Sequence, residues 1–349
     1  MRAVLAAAIV FASVLPASAQ VVGRRVIDGL VAPSTAAFTR STTELAASVE
    51  ALCEKPGDEA LSASRTAFAT ALDDWGRVSV LRFGPLTEDG RFEKLFFWPD
   101  ARGIGLKQVQ GLLAAKDPGE ISAGMAGKSA ALQGFPALEF TLHGTGSESL
   151  ATGDPWRCSV ASAIASNIAA IAATVAGEWD PGSPFAASFS APAEGREPYR
   201  TEAEVQGEIV KALATALQFI RSAELVPPLG EAPEKANGKR APMWRSRLTV
   251  PLIVAQIDGV RLLLAAAGYE QSLPEDSRFI ASSIRFELDN AIRTLGQVKG
   301  PVELTFGTEP DRSRFVFAEL ALHHASELVT RDLAAALGLT MGFNALDGD

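Results

Sequence analysis

The stretch QGFPALEFTLHG, residues 133–144, concentrates the side chains of this chain that could do chemistry. On a helical wheel Glu139 shares a stripe with Met125, Leu132, Phe135 and Leu142. A carboxylate on a buried stripe needs a hydrogen-bonding partner, a countercharge or a metal. Burial also raises a carboxyl pKa, which is a mark of functional sites. His143 follows Glu139 by one turn on the same face. Glu-x-x-x-His can offer two ligands to a metal; it also suits a helix-end histidine resting on carbonyls or on Glu139. Pro136 has no N–H, so a helix running through it leaves the Leu132 carbonyl free and kinks. Gly134 lets another backbone approach closely. The expectation is a broken helix with an inward acid at Glu139; the alternative is a glutamate that turns to solvent or pairs with an arginine.

Other residues could share that pocket. Arg82 closes an apolar segment just before Phe83-Gly84-Pro85, and Trp98, Asp100 and Arg102 mix aromatic and charged groups in the turn LFFWPDARG. Such loops often line sites, and an Asp–Arg pair over packed aromatics would equally close the loop. Trp244, Arg245 and Ser246 stand where a helix is expected to start, a place that attracts anions or is simply capped. Arg82, Asp100 and Arg245 are candidates to neutralise Glu139. His323 and His324 are the remaining histidines, and His324, three residues before Glu327, reads as a surface or interface histidine. The H-E-x-x-H pair, the G-x-S-x-G elbow, the P-loop and the dinucleotide fingerprint are absent.

The elements that must position these groups are helices. Apolar residues recur at helical spacing and β-alternation is scarce. Helices are expected over 25–54, 58–82, 104–115, 120–143, 156–178, 199–223, 243–267, 275–298 and 313–337. Pro56 and Gly57 end the first, and Asp58 is the expected cap of the second. Near the C-terminus Phe315, Leu322, Val329, Leu333 and Leu337 fall within about 80° of one another, a core-facing stripe. Residues 82–103 read as an irregular segment or short hairpin, 227–242 as a polar loop, and 179–199 as a linker. The expected fold is all-α, with two helical bundles of about four helices each: an N-terminal domain over 20–190 and a C-terminal one over 191–349.

The first residues, MRAVLAAAIVFASVLPASAQ, have a charged start, an apolar run and a small-residue Ala17-Ser18-Ala19 site. They read as a signal peptide, 1–19, cut after Ala19, and the mature chain is expected in a bacterial periplasm with no membrane span. The formal charge is −9 with 41 acidic against 32 basic residues, which argues against nucleic acid and anionic membranes as partners. Two cysteines, Cys53 and Cys158, in an oxidising compartment suggest one disulfide, with two buried thiols as the alternative.

Taken in order, WGRVSVLRFGPL, FFWPDARG, QGFPALEFTLHG and MWRSRLTVPL make the chain resemble the imelysin-like family, also called peptidase M75, over most of its mature length. The resemblance implies two helical-bundle domains with a site near their interface, and a link to bacterial iron uptake; some members carry a peptidase label. The family signature Gly-x-His-x-x-Glu is matched by Gly134 and Glu139, while its histidine position is Pro136. A hydrolytic metal needs about three protein ligands, and the sequence offers Glu139 and His143. The expected ligand-binding set is therefore Glu139, Gly134, Pro136, Arg82, Trp98, Asp100, Trp244, Arg245 and Ser246, with Glu139 and His143 as the metal pair. The expected role is a non-catalytic binding or accessory protein. Its ligand would be iron, another divalent metal, haem or a chelate, and its partner an iron species or an envelope protein of an iron-uptake system. A metallopeptidase using Glu139 as base, and an interaction module with a decayed pocket, are the alternatives.

Overall fold

The computed structural model describes residues 21–339, so the expected signal peptide at 1–19 lies outside the described residues. No strand occurs among the described residues. A lead-in turn Val22–Val26 and a π turn Ile27–Val31 run into α1, Ala32–Glu54. The helices that follow are α2 (Asp58–Val78), α3 (Ile104–Ala115), the short α4 (Phe135–His143) and α5 (Pro155–Glu178). After a short α6 (Pro184–Ser190) come α7 (Glu202–Phe219), α8 (Thr249–Ala267), α9 (Arg278–Leu295) and α10 (Asp311–Glu327). Pro56 and Gly57 do break the chain between α1 and α2, but Asp58 opens α2 as its first residue, where a carboxylate meets the positive end of the helix.

The helices form two bundles because each buries one apolar stripe. In α9 the stripe is Ile280, Ile284, Leu288, Ala291 and Leu295, all buried. The expected C-terminal stripe is also inward: Phe315, Leu322, Val329 and Leu333 are fully buried. In the first bundle α1 lies along α2 and α5, and α4 packs on α5 and α2; in the second, α9 lies along α10, with α7 and α8 beside them. The bundles share a seam where α8 runs along α2. Gly259 makes that approach possible, since a Cβ there would stand 2.6 Å from the Arg77 carbonyl oxygen. Arg77 Nε reaches Asp258 across the seam at 3.0 Å.

Two stretches, Pro155–Glu178 and Thr249–Ser272, are long and apolar enough to cross a membrane. Both pack inside the bundles, with Ile164, Ile168, Ile253, Ile257 and Val260 fully buried. Helices enclosed by neighbours on several sides are expected to be apolar nearly all round. The Cys53–Cys158 disulfide is formed, with a Cα–Cα distance of 5.5 Å, and it joins the end of α1 to the start of α5.

Four expectations are corrected. Residues 120–134 are not helical but a series of turns, and helix begins only at Phe135. The helix expected from 243 starts at Thr249; Met243 and Arg247 have φ of 55° and 61°, which breaks the helical path. Of the two readings of residues 82–103 the hairpin fails and the irregular segment holds: they contain no strand but 3₁₀ turns and the short helix Arg91–Leu95. The expected linker carries α6, and its Trp179, Phe185, Phe189 and Tyr199 pack edge-to-face, with Phe83 against Trp179 and Phe189. Aromatic burial of that extent turns a spacer into part of the core.

Candidate functional site

Helix α4 is short, and its two ends are fixed by other parts of the chain. Gly134 precedes it, and a Cβ there would lie 2.1 Å from the Leu95 carbonyl oxygen, so only glycine lets segment 94–95 close on the start of α4. Pro136 sits in the first turn, where a missing N–H costs nothing and a fixed φ helps. It starts a helix rather than kinking one, which corrects the sequence expectation. Phe135 joins the ring cluster of Phe38, Phe68 and Trp75. At the other end Arg157 donates to the carbonyls of Phe140, Thr141 and Thr145, and Arg65 to that of Leu142. Two cations at the C-terminal carbonyls satisfy orphan acceptors and oppose the negative end of the helix.

Glu139 lies on this clamped helix and is only 3% exposed. Its Oε1 accepts from the Ser246 backbone N–H and from Ser246 Oγ, both at 2.9 Å. Its Oε2 is 3.9 Å from Arg245 Nη1, an ion-pair distance too long for a hydrogen bond. Burial raises the Glu139 pKa, while the Ser246 bonds and the Arg245 charge pull the other way. The inward acid expected from the stripe is therefore real, and its countercharge is Arg245. The turn that meets it is held by Leu248 N–H to the Met243 carbonyl at 3.0 Å, and its two left-handed non-glycine residues flank Arg245 and Ser246. Such strain persists only where surrounding contacts over-determine it.

Beside Glu139 opens a cleft with a cavity volume of about 50 Å³, room for a few waters at ~10–15 Å³ each. Phe97, Trp98, Asp100, Pro136, Phe140, Trp244 and Arg245 are among its walls. The Arg245 guanidinium lies 4.4 Å from the Trp244 ring and 5.4 Å from that of Phe140. Trp98 donates its indole N–H to the Ala223 carbonyl at 2.9 Å. Both Asp100 oxygens are spent on backbone N–H groups, Ile104 at 2.7 Å and Leu106 at 3.2 Å, so Asp100 is a cap for α3. Gly134 and Ser246 support the cleft without lining it.

Two expected members lie elsewhere. His143 packs against Phe68, is pushed down to about 4 by burial and by Arg65, and keeps a buried Nε2 without a partner; it does not line the cleft. Among the described residues no group of three or more His, Cys, Asp and Glu could hold a metal. Arg82 is sandwiched between the rings of Phe92 and Phe219, at 3.7 and 3.8 Å. Burial pushes its pKa down to about 10 against the pull of Glu224. His323 and His324 are surface groups near Glu327 and Glu287.

Arg82 marks a buried polar group that sequence reasoning missed. Glu224 is fully buried, accepts from Gln256 Nε2 at 3.0 Å, and is pushed up to about 8 by desolvation. Leu213, Leu217, Ile220 and Glu224 follow one another at helical spacing and are all buried. The stripe argument used for Glu139 would have found it.

A family model for imelysin, Peptidase_M75, matches residues 31–329. No curated protein matches the chain. Among solved structures, an imelysin-like protein from Psychrobacter arcticum 273-4 superposes with a TM-score of 0.72 at 18% identity, covering 92% of this chain and 96% of that one. A protein assigned as an iron-regulated protein A precursor from Parabacteroides distasonis ATCC 8503 gives 0.72 at 12% identity, covering 88% and 93%. At such identities the likeness shows a shared fold. The model match spans most of the sequence, and the chain belongs to the imelysin family.

Proposed function

We propose that this protein is exported to the periplasm through a cleaved signal peptide and is a non-catalytic binding or accessory component of iron or metal uptake. Its ligand site is the cleft beside Glu139, at the junction of a first domain over 20–190 and a second over 191–349. One observation carries this reading. A buried carboxylate at the motif position is bound by a turn 107 residues away, and side chains from both segments wall a common cleft. The similar fold of a protein assigned as an iron-regulated precursor supports the link to iron. Two features favour binding over hydrolysis: Pro136 stands at the histidine position, and Glu139 already serves as acceptor for Ser246.

The side chains present do not fit a bare metal ion. Glu139 is committed to Ser246, Asp100 to backbone N–H groups, and the Arg245 cation adjoins the carboxylate. An iron species would arrive with its own ligands, as a chelate or haem, and a cavity of about 50 Å³ would take one group of it and not the whole molecule. The test is the thermal shift of the mature protein with ferrous and ferric salts, ferric chelates and haem. At least one iron form should stabilise the wild type more than Glu139→Gln; no shift with any form would end this reading. Recovery of periplasmic protein with Gln20 as its first residue tests export.

A second reading, an envelope interaction module, is favoured by Phe279 and Phe286 on α9, 62% and 61% exposed, and by Phe317 on the neighbouring α10. Crosslinking in the intact envelope tests it: a partner captured by wild type but lost with Phe286→Ser would support docking there.

A further inference from the structure

We propose that the cleft recognises an oxyanion, a carboxylate or phosphate group of its ligand, through the guanidinium of Arg245. This rests on the reading of the cleft as the ligand site and names what that site takes.

A helix start at 243 would have offered free backbone N–H groups to an anion. The chain instead makes a turn, and that turn gives the Ser246 N–H and hydroxyl to Glu139. An internal carboxylate thus fills the backbone anion position, and the cationic donor left in the cleft wall is the Arg245 side chain. Its two aromatic neighbours, Trp244 and Phe140, hold the flat guanidinium as stacked arginines are held. Among the described residues its guanidinium donates no hydrogen bond; the closest carboxylate oxygen, Glu139 Oε2, is 3.9 Å away. A planar fork held beside two rings, with no hydrogen bond of its own among the described residues, suits bidentate carboxylate or phosphate.

The surroundings favour the same sign of ligand. Lys239 Nζ stands 5.5 Å from the ring of Trp244, adding a second cation beside that indole. The segment KRAPMWRSR, 239–247, carries Lys239, Arg240, Arg245 and Arg247 and no acid, in a chain of net charge −9. Local cation density against an acidic whole steers an anion to this mouth.

The test is titration calorimetry of the mature protein with citrate, ferric citrate, inorganic phosphate, ferrous chloride and zinc chloride. Wild type, Arg245→Gln, Arg245→Lys and Glu139→Gln are compared, with the unliganded melting temperature confirming that each variant folds. Citrate or phosphate should bind wild type, and ferric citrate should bind within a few-fold of citrate. Arg245→Gln should weaken the oxyanion at least about tenfold, with Arg245→Lys between the two. Binding by phosphate alone would identify a phosphate ligand, and by citrate alone a carboxylate. Oxyanion binding that Arg245→Gln leaves unchanged would overturn the proposal. Stoichiometric binding of ferrous or zinc ion lost in Glu139→Gln would overturn it too, yet leave the cleft as the ligand site. No binding of any iron form or oxyanion would overturn both.

Discussion

Ser246 gives both its backbone N–H and its hydroxyl to a single oxygen of Glu139, each at 2.9 Å, across 107 residues of chain. The pairing turns a motif carboxylate into a tie between α4 and the turn that leads into α8. It also explains how an almost fully buried acid is tolerated: the carboxylate accepts real hydrogen bonds and has a cation nearby.

The tie has unequal halves. Glu139→Ala leaves the Ser246 N–H without its acceptor, and the expected loss is about 1–3 kcal/mol. Ser246→Ala removes only the hydroxyl bond and should cost about 1 kcal/mol. Because the two residues share the interaction, the double variant should lose less than the sum. Urea unfolding of the four proteins measures this, and strictly additive losses would show that the pair is not coupled.

Glu224 predicts a pH dependence of the opposite sense to ordinary acid unfolding. Its pKa rises from 4.5 to about 8 in the fold through desolvation. Between those values the folded state holds a proton that the unfolded chain has released. Stability therefore falls as pH rises through that window and levels off above it. Glu224→Gln stays neutral and can keep its contact with Gln256. Melting temperatures from about pH 5 to about pH 9 should decline less in the variant than in wild type; parallel curves would refute this assignment.

His143 works in the acid range. Burial first, then Arg65, lowers its pKa from 6.5 to about 4. As pH falls from 6.5 the unfolded chain takes up the proton first, so stability is lost down to about 4 and then no further from this group. His143→Phe, which can pack against Phe68, should show a shallower loss over that interval by calorimetry. An unchanged acid limb would place the effect on other groups.

Much of the fold is legible in the sequence. The long helices, the break at Pro56-Gly57 and the core stripe from Phe315 to Leu333 follow from spacing and residue type; spacing and cysteine count leave two readings each for Glu139 and for Cys53 and Cys158, and the inward acid and the bridge are the ones formed. What failed has a common physical cause. Met125 and Leu132 are buried at helical spacing from Phe135, but periodicity reports which side chains point inward, and turns can bury them too. Pro136 reads as a defect in a long helix because the start at Phe135 is set by the close approach of segment 94–95 to Gly134 and by the rings of Phe38, Phe68 and Trp75, all distant in sequence. Asp100 looked like a site acid because its backbone partners, Ile104 and Leu106, become visible only once the turn closes. Glu139 could be seen to need a partner, but nothing local identifies one 107 residues later.

The disulfide closes a separation of 105 residues. Closing a loop of that size in the unfolded chain corresponds to about 4–5 kcal/mol in the loop-entropy account, and loss of a native bridge typically costs about 2–5 kcal/mol. Cys53→Ser with Cys158→Ser should therefore unfold at markedly lower denaturant with the fold intact in its absence. Alkylation before and after reduction, read by mass, must first show two thiols appearing only on reduction. Free thiols in the native protein would contradict the bridge.

Gly134 provides the sharpest test of why the motif has a glycine. The Leu95 and Lys94 carbonyl oxygens would lie 2.1 and 2.3 Å from an added Cβ, and both belong to backbone that cannot rotate away. The glycine φ is −125°, an ordinary value, so the demand is for space and not for an unusual conformation. Gly134→Ala should therefore destabilise by about 1–3 kcal/mol or more, as overpacking does, by pushing segment 94–95 off the start of α4. Its effect on ligand binding should follow, because Glu139 rides on that helix. Guanidinium unfolding together with the Arg245-dependent titration decides the matter. A stable variant with weakened binding would mean that Gly134 contacts the ligand, whereas a destabilised variant that binds normally once folded would confine its role to packing.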